Sequence, residues 1–230
     1  MNKKQQGFFA NIKNELIVSC QAQKGEPLHS SYIMGRMAVA ARDGGAKGIR
    51  TDSVADIREI KRQVEMPIIG IIKKDYDNSD VFITPTFAEI DQLYNEGIDM
   101  IALDATDRIR PNGETILEHF PKVRKEYPDQ LFMADCSTYE EAVEAERLGF
   151  DCVGTTLRGY TSKTKNVEIP DLDFIEKLVA KLNIPIIAEG GIYTPKLLKE
   201  VFDKGVHAAV VGSAITRPKE ITLRFTEAIK

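Results

Sequence analysis

Eight short apolar runs, each followed by a longer stretch of helical period, constrain this chain more than any other feature of its sequence. The runs are LIVS (16–19), GIR (48–50), PIIGII (67–72), MIAL (100–103), LFMA (131–134), CVG (152–154), PIIA (185–188) and AAVV (208–211). Short, nearly uninterrupted apolar runs suit strands covered on both faces, as in a parallel sheet. Between them apolar residues recur at helical spacing. Ile33, Met34, Met37, Ala38 and Ala41 follow the first run, Ile90, Leu93 and Tyr94 the third, and Ala142, Val143, Ala145 and Leu148 the fifth.

The punctuation agrees with this reading. Ser53-x-x-Asp56, Thr86-x-x-Glu89 and Thr138-x-x-Glu141 resemble capping boxes, in which hydroxyl and acid satisfy the free N–H groups of a helix start. Thr194-Pro195 reads as an N-cap followed by proline at the first helical position. A glycine and an apolar residue precede every second run: Gly45-Ala46, Gly97-Ile98, Gly149-Phe150 and Gly205-Val206. Glycine there predicts a helix ending in a left-handed turn before the next strand. The glycines stand 52, 52 and 56 residues apart, two strand–helix units each time. Eight units predict an α/β fold, a single-domain (β/α)8 TIM barrel over residues 16–230, with residues 1–15 an N-terminal arm or partial helix. An open doubly wound sheet shares the alternating pattern and is the competing architecture.

Composition narrows the function. The chain has 230 residues, close to the roughly 250 of an eight-fold barrel. A net charge of -4 with no long basic run argues against nucleic acid as a partner. No apolar stretch approaches the roughly 20 residues that span a bilayer, so no membrane partner is expected. Cys20, Cys136 and Cys152 are odd in number and far apart, which suits free thiols in a reducing, cytoplasmic setting. Neither a metal-ligand spacing nor a nucleotide-binding loop occurs, so the motifs support no cofactor and no metal.

Barrel chemistry sits at the C-terminal ends of the strands, so the residues just after each run are the candidates. In order they are Cys20-Gln21, Arg50, Lys73-Lys74, Asp104, Asp135, Thr155-Thr156, Glu189 and Ser213. One apolar run ending in a polar group is how many strands reach the surface; eight converging ends predict a shared site. Thr155 counts among the substrate-facing candidates. The turns EGG (189–191) and GSAITRP (212–218) follow the seventh and eighth runs, the usual place of a barrel phosphate site. Gly190, Gly191, Gly212 and Ser213 would let backbone N–H groups approach an anion, and a short helix starting near Ser213 would point its positive end at it. Arg217 would add a forked contact. Lys73 and Glu189 face one another across the predicted mouth. A desolvated lysine can act as a base or as a Schiff-base nucleophile, and alternation does not decide between Lys73 and Lys74.

The segments LIVSCQA, EPLHSS, MGRMA, GIIKKDY, FITPT, IALDAT, MADCST, GFDCVGTTLRGYTS, IIAEGG and VVGSAITRPKEIT carry a likeness running from about Leu16 to Phe225. In these residues the chain resembles the N-acetylmannosamine-6-phosphate 2-epimerase family. The resemblance implies a TIM barrel without an organic cofactor, forming a homodimer. It implies interconversion of N-acetylmannosamine 6-phosphate and N-acetylglucosamine 6-phosphate in sialic acid breakdown, with a phosphorylated amino sugar as the small-molecule partner. By residue, it implies Lys73 and Glu189 as catalytic, and Gln21, Arg50 and Asp135 as substrate contacts. The glycine turns with Arg217 would hold the phosphate.

Overall fold

The computed structural model describes residues 3–230. Eight parallel strands close in chain order: β1 (Glu15–Cys20), β2 (Gly48–Asp52), β3 (Ile68–Ile71), β4 (Met100–Asp104), β5 (Leu131–Asp135), β6 (Cys152–Gly154), β7 (Ile186–Glu189) and β8 (Ala208–Val211). The last strand pairs with the first, Ile17 opposite Val210, so the sheet has no open edge. This is the closed barrel and not the open sheet. The helices are α1 (Lys3–Ile12), α2 (Ser31–Asp43), α3 (Val54–Gln63), α4 (Phe87–Asn95), α5 (Ile116–Glu126), α6 (Tyr139–Leu148), α7 (Leu172–Lys181), α8 (Pro195–Asp203) and α9 (Pro218–Glu227). No helix among the described residues is long and apolar enough to cross a membrane.

Closure gives every strand two buried faces and thereby two cores. Ile17, Ile69, Ile71, Met133, Ile187 and Val210 fill the barrel interior. The alternate strand residues, among them Val18, Ile49, Phe132, Val153, Ala188 and Ala209, pack outward against the helices. Side chains of a strand alternate between faces, so the interior set fixes which rim residues point inward. Gln21 continues the inward series of Ile17, Lys73 that of Ile69 and Ile71, and Glu189 that of Ile187.

The local signals act as expected at most positions. Thr86 and Thr138 form full capping boxes with Glu89 and Glu141, and Thr194 caps α8 ahead of Pro195. Thr115 and Glu118 make a further box. Ser53 caps Asp56, but the Asp56 carboxylate turns away to the Ser31 hydroxyl at 2.6 Å, so that box is one-sided. Gly45, Gly97, Gly149 and Gly205 all have positive φ, between 60° and 99°, which is the left-handed turn their spacing predicts. Two apolar positions depart from the expected helix faces. Tyr94 and Val143 are 45% and 39% exposed, on the outer flank where Tyr94 packs against Tyr127. Of the expected arm, residues 1 and 2 lie outside the described residues. Phe8, Phe9 and Ile12 of α1 are buried and join the interior cluster. His207 donates from Nε2 to the Phe9 carbonyl at 2.8 Å, tying α1 to the start of β8.

His119 on α5 is fully buried and is held below the usual histidine range, at about 4. Burial is the main cause; Arg110 adds to it and Glu114, at 3.0 Å from Nδ1, opposes it. The folded ring therefore stays neutral where an unfolded one, near 6.5, takes a proton. Stability is complete above that value and is expected to fall between pH 6.5 and about 4, by roughly 3 kcal/mol for the full shift. Urea titrations across this window check it, and His119→Gln should flatten the slope.

Candidate active site

The C-terminal rim encloses a cavity of about 250 Å³ lined by residues from the C-terminal parts of β1, β2, β3, β7 and β8 and from the loops after β1, β3, β6, β7 and β8. Gln21, Arg50, Lys73, Glu189, Gly190, Gly191, Gly212, Ser213 and Arg217, all expected from the sequence, lie on its wall. Closure of the sheet is what unites them, since they span nearly 200 residues of chain.

Arg50 is the structural centre. Its guanidinium is 1% exposed and forms a two-pronged pair with Asp135, Nη1 to Oδ1 at 3.1 Å and Nη2 to Oδ2 at 2.6 Å. Nη1 also lies 3.1 Å from Oε2 of Glu189. Burial disfavours the cation, but the two carboxylates outweigh it, so Arg50 holds its proton more tightly than an ordinary arginine. Asp135 is fully buried and does not line the cavity. The expected substrate contact is thus a brace behind Arg50.

Glu189 sits above the usual carboxylate range. Burial is the first cause, and the Asp135 charge across the shared guanidinium adds to it against the pull of Arg50 and Lys73. Lys73 moves the other way, below the usual lysine range: burial leads, Arg50 and Arg217 reinforce it, and Asp52 and Glu189 oppose it. No ion pair within 4 Å joins Lys73 to a carboxylate among the described residues. A raised acid and a lowered base lining one cavity make Glu189 and Lys73 candidates for proton transfer. Lys74 points away from the cavity, to Glu89 at 3.1 Å, which settles the choice between the two lysines in favour of Lys73. The Lys73 main-chain N–H donates to Asp52 at 2.9 Å, anchoring the end of β3.

Two further expectations need correction. Thr155 does not reach the cavity; it is buried between β6 and β7, donating to the Glu189 carbonyl at 2.8 Å and accepting from the Glu189 N–H at 2.9 Å. Its neighbour Thr156 faces inward in its place. Nor does a helix start at Ser213. Residues 213–216 form a turn, closed by the Ile215 and Thr216 N–H groups on the Gly212 carbonyl, and α9 begins only at Pro218. Arg217 stands at the N-cap position of α9 without a side-chain capping bond, lines the cavity and pairs with Glu26 at 3.3 Å. Gly190 and Gly191 have φ of 104° and 72°. A Cβ on Gly191 would stand 2.4 Å from the Ile169 carbonyl, so glycine is required there by close packing as well as by the turn.

Sequence reasoning passed over Phe82 and Tyr160, which complete the wall from the loops after β3 and β6. The 17-residue loop 155–171 has no strand or helix of its own, and such length in a compact domain marks function. That was the available signal for Tyr160. Among the described residues no group of three or more His, Cys, Asp or Glu side chains is arranged to hold a metal ion. Cys20, Cys136 and Cys152 are free, buried and outside the cavity wall; burial pushes the Cys20 thiol up to about 12.

Known proteins resemble this chain over most of its length. A family model described as "Putative N-acetylmannosamine-6-phosphate epimerase" matches residues 34–230. A Clostridioides difficile protein described as "Putative N-acetylmannosamine-6-phosphate 2-epimerase" is 55% identical over 219 residues, 95% of this chain and 97% of that protein. The solved structure of the N-acetylmannosamine-6-phosphate 2-epimerase from Clostridium perfringens is 52% identical, with a TM-score of 0.92 over 96% of this chain and 95% of that one. Thiamine phosphate pyrophosphorylase from Pyrococcus furiosus, at 18% identity and a TM-score of 0.61, shares the fold alone.

Proposed function

The chain belongs to the N-acetylmannosamine-6-phosphate 2-epimerase family, and from that premise we propose that it inverts C2 of N-acetylmannosamine 6-phosphate to give N-acetylglucosamine 6-phosphate. The observation that carries this reading is the opposed pair Lys73 and Glu189 across a cavity closed on one side by the Arg50 cation. The proton at C2 is acidic only beside the C1 carbonyl of the open-chain sugar. Its removal needs a base and a cation or donor at the developing enolate oxygen.

Lys73, held towards its neutral form, takes the C2 proton from one face. Glu189, held towards its acid form, returns one to the other, so the configuration inverts. Reversal exchanges the two roles. Arg50 and Gln21 hold the enolate oxygen or the acetamido group, and Asp135 keeps the guanidinium of Arg50 in place. The turns at Gly190, Gly191, Gly212 and Ser213, with Arg217, receive the phosphate. Binding energy gained there is remote from the reaction and positions C2. The pathway served is the breakdown of sialic acid and other amino sugars in the cytoplasm, a setting that suits three buried free thiols.

A homodimer is part of the same reading. No side chain of α9 is buried, and Phe225, 74% exposed, stands one turn from the half-buried Ile221 on the same face of the helix, an apolar pair suited to a second copy.

Proton NMR with N-acetylmannosamine 6-phosphate in heavy water tests the chemistry. The expected result is N-acetylglucosamine 6-phosphate carrying deuterium at C2. An unchanged spectrum from folded protein would remove the epimerase reading. A Schiff-base reaction at Lys73 is the alternative chemistry of such a lysine, and borohydride trapping of a covalent adduct would favour it.

A further inference from the structure

Thr156 occupies the inward position just beyond β6 and touches both acids of the site. Its Oγ1 lies 2.6 Å from Oδ1 of Asp135 and 3.2 Å from Oε2 of Glu189. A hydroxyl has a single proton to donate, so the two acids compete for it while Glu189 is ionised, and a protonated Glu189 can donate to the Thr156 oxygen instead. The same two carboxylates share the Arg50 guanidinium, whose Nε has no hydrogen-bond partner among the described residues. The orientation of Arg50 is therefore set through its two Nη atoms, by where the carboxylates stand. Asp135 is held by the two-pronged pair. Glu189, reached by one Nη atom only, has Thr156 as its other side-chain hydrogen-bond partner.

We propose that Thr156 is a positioning residue for proton transfer: its hydroxyl, divided between Asp135 and Glu189, fixes the Glu189 carboxyl against Arg50 and facing the cavity. This rests on the reading that Glu189 exchanges a proton at C2. Without the hydroxyl, Glu189 can swing about its remaining contact, and a misplacement of about 1 Å at a reacting group costs on the order of 100-fold in rate. The groups facing Glu189 are Arg50 from β2, Lys73 beyond β3, Asp135 from β5 and Tyr160 from the loop after β6. None of them supplies a neutral donor within reach of both acids.

The test is Thr156→Val, which keeps shape and removes the hydroxyl, beside Thr156→Ser, which restores it. Steady-state kinetics are measured from pH 5 to 10 on wild type and both variants. The expected result for Thr156→Val is a kcat roughly 10- to 100-fold lower with KM within about threefold. The limb of the pH profile that Glu189→Asp displaces should also move to higher pH, because a donor to the charged carboxylate has gone. Thr156→Ser should stay within about threefold of wild type with an unmoved profile. Should the valine variant fail to fold, Thr156→Ala against Thr156→Ser makes the same comparison. A Thr156→Val enzyme with wild-type kcat, or with a lower kcat and an unmoved profile, overturns the role of Thr156 and leaves the proposed function standing. A wild type that does not turn over the sugar phosphate overturns both.

Discussion

Lys73→Ala is expected to lower turnover by roughly 1000-fold or more, within the range a positioned acid or base contributes, with thermal unfolding within about 2 °C of wild type. The side chain enters a cavity and not a packed core, and it has no ion pair to lose among the described residues. Removing it relieves a charge from partial burial, so the fold has little reason to weaken. Lys73→Arg should be nearly as inactive, because a guanidinium keeps its proton at any pH the protein survives. The pH profile supplies the sign. Burial holds Lys73 below the usual lysine range, so the neutral amine is present at lower pH than an ordinary lysine allows. Activity that needs the amine as base therefore rises with pH through that lowered value. Near-normal activity in Lys73→Ala, measured by the rate of deuterium entry at C2, would take Lys73 out of the chemistry.

The largest effect on stability is expected from Asp135→Ala. Asp135 and Arg50 are both 1% exposed or less, so water does not screen the pair. Breaking such a pair strands a buried cation and costs about 3–5 kcal/mol. In a chain of this length that is a fall of roughly 6–20 °C in the midpoint of thermal unfolding. Glu189, already 3.1 Å from Nη1, can recover part of the loss by taking over the guanidinium. That recovery would draw it from the cavity and abolish turnover. An apolar double variant, Arg50→Met with Asp135→Leu, separates the two effects. It is expected to regain most of the stability while remaining inactive, since well-packed apolar residues replace buried ion pairs at little cost. If Asp135→Ala unfolds at the wild-type temperature, the pair does not stabilise the barrel and the site must be hydrated.

The candidate site was legible from sequence to the level of strand ends, because chemistry in a barrel collects where parallel strands finish, and eight polar ends declared themselves. Nine of the eleven expected site residues do line one cavity. Arg50, Lys73 and Glu189 could be named without coordinates, since each is a charge closing an apolar run. The glycines before every second strand carried the helix ends, because only a residue without Cβ takes positive φ freely.

What the sequence determined by itself was therefore the local grammar: eight strand–helix units, their caps and turns, and the rim at which the polar ends meet. Tertiary structure decided which face each residue took. A strand buried on both sides is apolar throughout, and periodicity then carries no sign of inside or outside. Lys73 and Lys74, and likewise Thr155 and Thr156, are told apart only when closure makes Ile69, Ile71 and Cys152 interior residues. The same closure placed Asp135 behind Arg50, and left residues 213–216 as a turn ahead of α9. Those choices depend on contacts between residues up to about 200 positions apart, which no local pattern of residues encodes.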